Sequence, residues 1–309
     1  MNNRSSAQMN TVTACEAPTK APLENQAENP VEDPAGNTAS GKPGQGRLTT
    51  HVLENRPGQR YLLYRPAGLH ARSPLVIVVH GISRNGREQV ESFRREADRH
   101  DAVLLAPLFT RPEFGDFQRL GRRGRGVRAD LALLDMIQAV RRMTGIATSP
   151  SFLFGYSGGG QFVHRFAMAW PDQVARIAVG AAGWYTFPDL GRRYPYGLRD
   201  SDALPGVRFD LAAILRIPAL VLVGEWDTEH DPAFKRAPHL DRTQGLTRIE
   251  RGRRWATAMR EAARQRNLQT PYRFETLPRC GHSFRDNMRQ GMGKRVFDFF
   301  FQTEEEQQQ

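Results

Sequence analysis

Long apolar runs are missing. Nowhere does the 309-residue chain approach the roughly 20 consecutive apolar residues that a membrane-crossing helix needs, so no membrane association is expected. Cysteine is nearly missing too: only Cys15 and Cys280 occur. Two thiols cannot build a disulfide framework, which fits a reducing compartment, and a cytoplasmic protein is expected. No positively charged start leads into an apolar stretch of the kind that marks a secretory leader. The tetrapeptide "VTAC", ending at Cys15, lacks the apolar segment that a lipidation signal requires. Metal-binding spacings are absent as well, with no H-E-x-x-H and no paired C-x-x-C, so nothing here argues for a zinc site. "GNTASGKP" (36–43) approaches a phosphate-binding loop, but Pro43 stands where the magnesium-binding hydroxyl belongs and no strand precedes it.

What is abundant is positive charge, a formal +11. The runs "RLGRRGRGVR" (119–128) and "RGRR" (251–254) would attract polyanions. Neither carries the interleaved aromatics of a base-stacking platform, and no zinc-finger or RNP pattern occurs. Both read as basic surface, and no nucleic-acid partner is expected. Residues 1–46 are rich in Asn, Pro, Ala, Glu and Gly without apolar periodicity; they read as a disordered polar tail. A short acidic and glutamine tail occupies 304–309, leaving an ordered body at 47–303.

Within that body, β-rich runs alternate with helical patterns. Strands are expected at "RYLLYRP" (60–66), "LVIVVH" (75–80), "AVLLAP" (102–107), "SFLFGYS" (151–157), "VARIAVGAAG" (174–183), "PALVLVGEW" (218–226) and "PYRFETLP" (271–278). Helical periodicity covers 86–100, 127–145, 158–170 and 251–267, and "RVFDFFF" (295–301) closes the body. Nearly all-aliphatic strands are expected where helices cover both faces. The pattern therefore predicts an α/β fold, a mainly parallel doubly wound sheet whose chemistry gathers at the carboxyl ends of its strands. Residues 184–217 break the rhythm and read as a cap-like excursion over the sheet edge.

One strand end carries chemistry. In "FLFGYSGGGQF" (152–162), Gly155 to Gly159 spell G-x-S-x-G. A strained strand-to-helix turn there would lift the Ser157 oxygen clear of the sheet, with the helix N-terminus favouring developing negative charge. A serine hydroxyl needs a base. Of the eight histidines, His282 in "PRCGHSF" follows the last strand at its carboxyl end. The base needs an acid, and Asp227 follows "PALVLVGEW" directly, with Glu225, Glu229 and Asp231 as rivals. Backbone donors to an oxyanion are expected from Gly158 and from the loop after "LVIVVHG", with Ile82 best placed and His80 and Gly81 shaping it. Trp184, Tyr185 and Trp226, with Phe109, Phe114 and Phe117, stand at strand ends and are candidates to line a substrate pocket. Cys280 reads as a small packed residue, not a nucleophile.

The "HG" after an apolar strand, G-x-S-x-G, the post-strand aspartate and the late "GHSF" together resemble the α/β-hydrolase superfamily. The resemblance covers about 60 to 303. It lies closest in pattern to bacterial serine-esterase-like members related to polyhydroxyalkanoate depolymerases, feruloyl esterases and dienelactone hydrolases. The resemblance implies a serine carboxylesterase acting on a small-molecule ester through a Ser157–His282–Asp227 triad and an acyl-enzyme, without metal or cofactor. An oligopeptidase-type serine peptidase and a non-catalytic binding protein of the same fold are the alternatives.

Overall fold

The computed structural model describes residues 46–54, 56–229, 231 and 234–302. The expected polar tail (Gly46 apart), with Cys15 and the phosphate-loop lookalike, lies outside the described residues, as does the 304–309 tail. In chain order, β1 (Arg47–Leu53) and β2 (Arg56–Arg65) are followed by β3 (Leu75–Val79), α1 (Gly86–Arg99), β4 (Val103–Leu108), α2 (Ala129–Thr144) and β5 (Ser151–Tyr156). Then come α3 (Gly158–Ala169), β6 (Val174–Gly180), α4 (Leu211–Ile214), β7 (Ala219–Gly224) and α5 (Pro238–Thr243). The last elements are α6 (Arg248–Arg264), β8 (Tyr272–Leu277), α7 (Phe284–Arg289) and α8 (Met292–Phe301).

Eight strands form one sheet in the order β1-β2-β4-β3-β5-β6-β7-β8. The pairs β1–β2 and β2–β4 are antiparallel, and the pairs from β4 through β8 are parallel. The expected α/β architecture, with a mainly parallel sheet and helices on both faces, is what forms. Strand alternation splits the aliphatic runs between two cores. Ile77, Val79 and Leu153 pack with Phe162 and Phe166 of α3 and with Leu133 and Ile137 of α2. Val76, Val78 and Phe154 pack with Val90 and Phe93 of α1 and with Val296 and Phe297 of α8. Each such side chain taken fully out of water contributes on the order of 1.5–3 kcal/mol, and this is why β3, buried along its whole length, reads as an unbroken aliphatic run.

Element ends follow local chemistry. Asn85 caps α1 by accepting the Glu88 N–H at 3.2 Å, and α2 closes on Gly145 at φ 70°. Helix α6 begins three residues before the expected start, because Thr247 accepts the Glu250 N–H at 3.2 Å and sets the first turn there. Four elements lie outside the expected pattern: β1, α4, α5 and α7. β1 is an edge strand that among the described residues pairs with β2 alone, so its apolar alternation is weak, and α7 is a helix of six residues capped by Ser283.

Segment 184–217 is irregular apart from α4 and an isolated bridge between Arg193 and Arg199. Its apolar residues Tyr194, Leu198, Leu204 and Ile214 join the core that α2 and α3 share. The excursion thus anchors itself in that core by its own side chains. Strand order reverses between β3 and β5, whose carboxyl ends meet at the switch point where ligands bind in open sheets of this kind.

Candidate active site

Ser157 sits at that switch point, between β5 and α3. Its backbone has φ 53° and ψ −111°, a conformation that costs a non-glycine residue energy and is held by its surroundings. Its N–H donates to Gly180 O at 2.7 Å. The flanking glycines are explained by what a side chain would hit. A Cβ at Gly159 would collide with the backbone carbonyls of Val79 and His80, and one at Gly155 with the backbone of Gly159. Strand, turn and helix can approach this closely only without those carbons.

His282 reaches the serine from the β8 end. The Ser157 hydroxyl donates to His282 Nε2 at 3.1 Å, and His282 Nδ1–H donates to Asp227 Oδ2 at 2.7 Å; these partners assign the ring tautomer. Asp227 is buried. Its second oxygen, Oδ1, accepts from Arg248 Nη1 at 3.0 Å, and Arg248 Nη2 donates to Asp231 Oδ2 at 2.5 Å. Among the rivals, Glu225 instead accepts the Arg279 N–H at 3.1 Å, so geometry selects Asp227 as the histidine's partner.

The loops carrying acid and base are interlocked through backbone. Glu225 N–H donates to Leu277 O at 2.9 Å and Trp226 N–H to Cys280 O at 2.7 Å. A Cβ at Gly224 would collide with the Cys280 carbonyl. Asn287 fastens the histidine loop from below, its Nδ2 donating to Ser283 O at 2.6 Å and Gly281 O at 3.0 Å. The Tyr156 ring stacks on His282 with centroids 5.4 Å apart. Burial, reinforced by the Asp227 charge, pushes the Tyr156 phenol well above its ordinary value, so it stays neutral beside the imidazole.

The His80–Ile82 loop closes the other side. The position a Cβ would take at Gly81 lies 3.6 Å from Ser157 Cβ, and the one at Gly158 lies 3.3 Å from Ile82 N. Both expected backbone donors therefore border the serine. His80 Nδ1–H donates to Gly81 O at 2.8 Å, and Nε2 accepts the Phe109 N–H at 3.0 Å. One ring thus ties the β3 loop to the end of β4. A cavity of about 260 Å³ opens over Ser157 and His282, lined also by Ile82, Gln89, Tyr156, Asp231 and Phe284.

The expected pocket aromatics are elsewhere. Trp184 is only 2% exposed, covered by Arg165 at 4.1 Å and Lys235 at 5.1 Å from its ring centre. Tyr185 is fully buried, stacked on Trp255 with centroids 5.2 Å apart. Trp226 is 59% exposed but does not line the cavity. Phe109, Phe114 and Phe117 pack into the core beside α3. Position along the strand was read correctly for these residues; the side to which each side chain turns was not. The basic runs are partly internal: Arg119 and Arg122 clamp buried Asp116, Arg128 grips Asp130, and Arg251 is buried against Asp241 and the Gly183 carbonyl. Sequence reasoning missed Arg248 and Asn287; a motif search has no signal for them, since they act across 21 and 6 residues of separation from their partners.

A serine on a strained elbow at the switch point of this sheet, bonded to a post-strand histidine, defines the class: the protein has the α/β-hydrolase fold. No protein-family model and no curated protein matches the chain. Among solved structures it is similar to poly(aspartic acid) hydrolase-1 from Sphingomonas sp. KT-1, with TM-score 0.69 and 28% identity over 82% of this chain and 98% of that one. It is similar also to LpqC, a poly(3-hydroxybutyrate) depolymerase from Bordetella parapertussis, with TM-score 0.67 and 29% identity over 84% and 89% of the two chains. An S-formylglutathione hydrolase from Agrobacterium tumefaciens shares the fold at TM-score 0.56 and 16% identity, over 84% of this chain and 98% of that one. The chain shares the α/β-hydrolase fold of these hydrolases.

Proposed function

We propose that the protein is a carboxylesterase in which Ser157 is the nucleophile, His282 the general base and Asp227 the residue that orients and stabilises the imidazolium. The observation that carries this reading is the continuous series of hydrogen bonds Ser157–His282–Asp227, at 3.1 and 2.7 Å. Ser157 Oγ attacks the ester carbonyl carbon as its proton passes to His282 Nε2. The carbonyl oxygen becomes an oxyanion, facing the N–H groups of Gly158 and Ile82. Collapse breaks the bond to the alkoxy oxygen, which leaves as the alcohol with the proton from His282. Water then gives its proton to the same nitrogen as it attacks the acyl carbon; collapse breaks the bond to Ser157 Oγ, which takes the proton back from His282, and the acid is released. The Asp227 oxygen not facing His282 is held by Arg248, so the carboxylate keeps one orientation through both half-reactions.

The test is labelling by a fluorophosphonate probe. The wild type should be labelled and Ser157→Ala should not; a folded wild type that resists the probe refutes the assignment. Two similar structures are named for acting on poly(aspartic acid) and poly(3-hydroxybutyrate), so chains of repeating acyl units are a second substrate class to assay. Matched nitrophenyl esters, aminoacyl amides and short oligomers of both polymers separate the esterase from the peptidase reading.

A further inference from the structure

We propose that Gln118 is a catalytic residue, its side-chain amide serving as a third donor to the oxyanion beside the backbone N–H groups of Gly158 and Ile82. The inference rests on the acyl-transfer reading above. The position that a Cβ would occupy at Gly158 lies 2.9 Å from Gln118 Nε2 and 3.3 Å from Ile82 N. A side-chain amide and a backbone amide therefore border the same small space, on the residue whose own N–H follows the nucleophile. Among the described residues neither Gln118 Nε2 nor Ile82 N donates to a protein group. Both are free to meet a charge that appears only during reaction. Any side chain at position 158 would fill this space, which gives the glycine after Ser157 a purpose separate from the tight turn that Gly155 and Gly159 serve.

The Gln118 backbone is held from within. It lies in a short 3-10 turn, Phe117–Arg119. Phe117 is buried against Phe109 and Phe162, and Asp116 is clamped by Arg119 and Arg122. From α3, the helix that Gly158 begins, Arg165 Nη1 donates to Gln118 O at 2.7 Å, and its Nε donates to Thr186 Oγ1 at 2.9 Å. Turn and nucleophile are thus tied to one rigid helix, the arrangement a preorganised donor requires. Arg165 is fully buried and meets no carboxylate among the described residues. The cost of such a charge in the interior is offset by these bonds, by a further one to Gln161 O at 3.1 Å and by the Trp184 ring at 4.1 Å. Burial draws its guanidinium down to about 10, so it remains cationic near neutral pH and keeps donating to the Gln118 carbonyl.

The experiment uses the full chain. Fluorophosphonate labelling of Ser157 first establishes that the acyl-transfer machinery is intact. Gln118→Met keeps length without the donor. It should lower kcat/KM for a nitrophenyl ester by on the order of 10–100-fold, with the loss in kcat and little change in KM. Affinity for a trifluoromethyl ketone, which adds to Ser157 to form an oxyanion, should fall by a similar factor. Gln118→Glu keeps the shape and turns a donor into an acceptor; it should lose at least as much, and it supplies the comparison if the methionine variant folds poorly. The proposal is overturned if labelled Gln118→Met stays within about threefold of wild type. A loss confined to KM, unchanged ketone affinity, or a milder defect in Gln118→Glu overturns it equally. A wild type that neither labels nor hydrolyses esters overturns the reading of Ser157, and this proposal falls with it.

Discussion

Acidification should loosen this protein at two buried imidazoles. His80 donates through Nδ1–H to Gly81 O at 2.8 Å and accepts the Phe109 N–H at Nε2 at 3.0 Å. His164 repeats the pattern, donating to Gly160 O at 2.8 Å and accepting the Thr186 N–H at 3.0 Å. In each ring the second nitrogen is committed as an acceptor, so a proton added there would face an N–H donor. Burial, aided by the Arg84 charge and opposed by the Gly81 carbonyl, lowers His80 from 6.5 to about 4. Burial and then Arg165 drive His164 the same way. Between these values the unfolded chain binds protons that the folded one refuses, so stability is lost as pH falls from about 6.5 toward about 4. At about 1.4 kcal/mol per pH unit, His80 alone accounts for about 3 kcal/mol across that window, with His164 steepening the slope. His51 and His100 shift in the same direction, but they are half-exposed and solvent screening makes their share small. The assay is urea unfolding at intervals from about pH 7.5 to about pH 4.5, on wild type and His80→Gln, whose amide can donate and accept without titrating. The variant's slope should be shallower by about 1.4 kcal/mol per pH unit near pH 5. A wild type flat across the window, or equal slopes in both proteins, would refute the reasoning.

Other outcomes follow from the same geometry. Asp227→Asn should cut kcat by on the order of 10⁴-fold while leaving the fold intact by circular dichroism, because the wrong tautomer would then face Ser157. Arg248→Met leaves Asp227 without its cationic partner and should lower unfolding stability by about 3–5 kcal/mol in urea titration. Gly159→Ala, which drives a methyl into the Val79 and His80 carbonyls, should yield little folded protein, read as loss of the cooperative melting transition. Cys280 is buried, and burial raises its thiol above the ordinary value; iodoacetamide should modify its tryptic peptide only after denaturation.

Much of this was legible in the sequence for a physical reason. Strands covered on both faces are aliphatic at every position, so β3 and β7 announced themselves. The post-strand serine and histidine stood out because position along a parallel strand largely decides where a residue ends up. Asp227 was favoured among four acids within seven residues, and its bond to His282 separates it from Glu225. Trp184 and Tyr185 show the limit of such reading. Their position beyond β6 was right, but contacts with Arg165 and Trp255, distant in the chain, turn both rings inward. Arg248 and Gln118 were invisible for a related reason: each matters through a partner that no local pattern names.

The crossing of the β7 and β8 loops has an implication for altering this protein. Because the Cys280 carbonyl rests on Gly224 and also receives the Trp226 N–H, the aspartate and histidine are mounted on a common bracket, while the serine is mounted on another. Insertions in either loop would shift both partners in step, preserving their mutual bond and spoiling their aim at Ser157. Re-aiming the base would therefore have to move both loops together, keeping the Gly224–Cys280 contact intact.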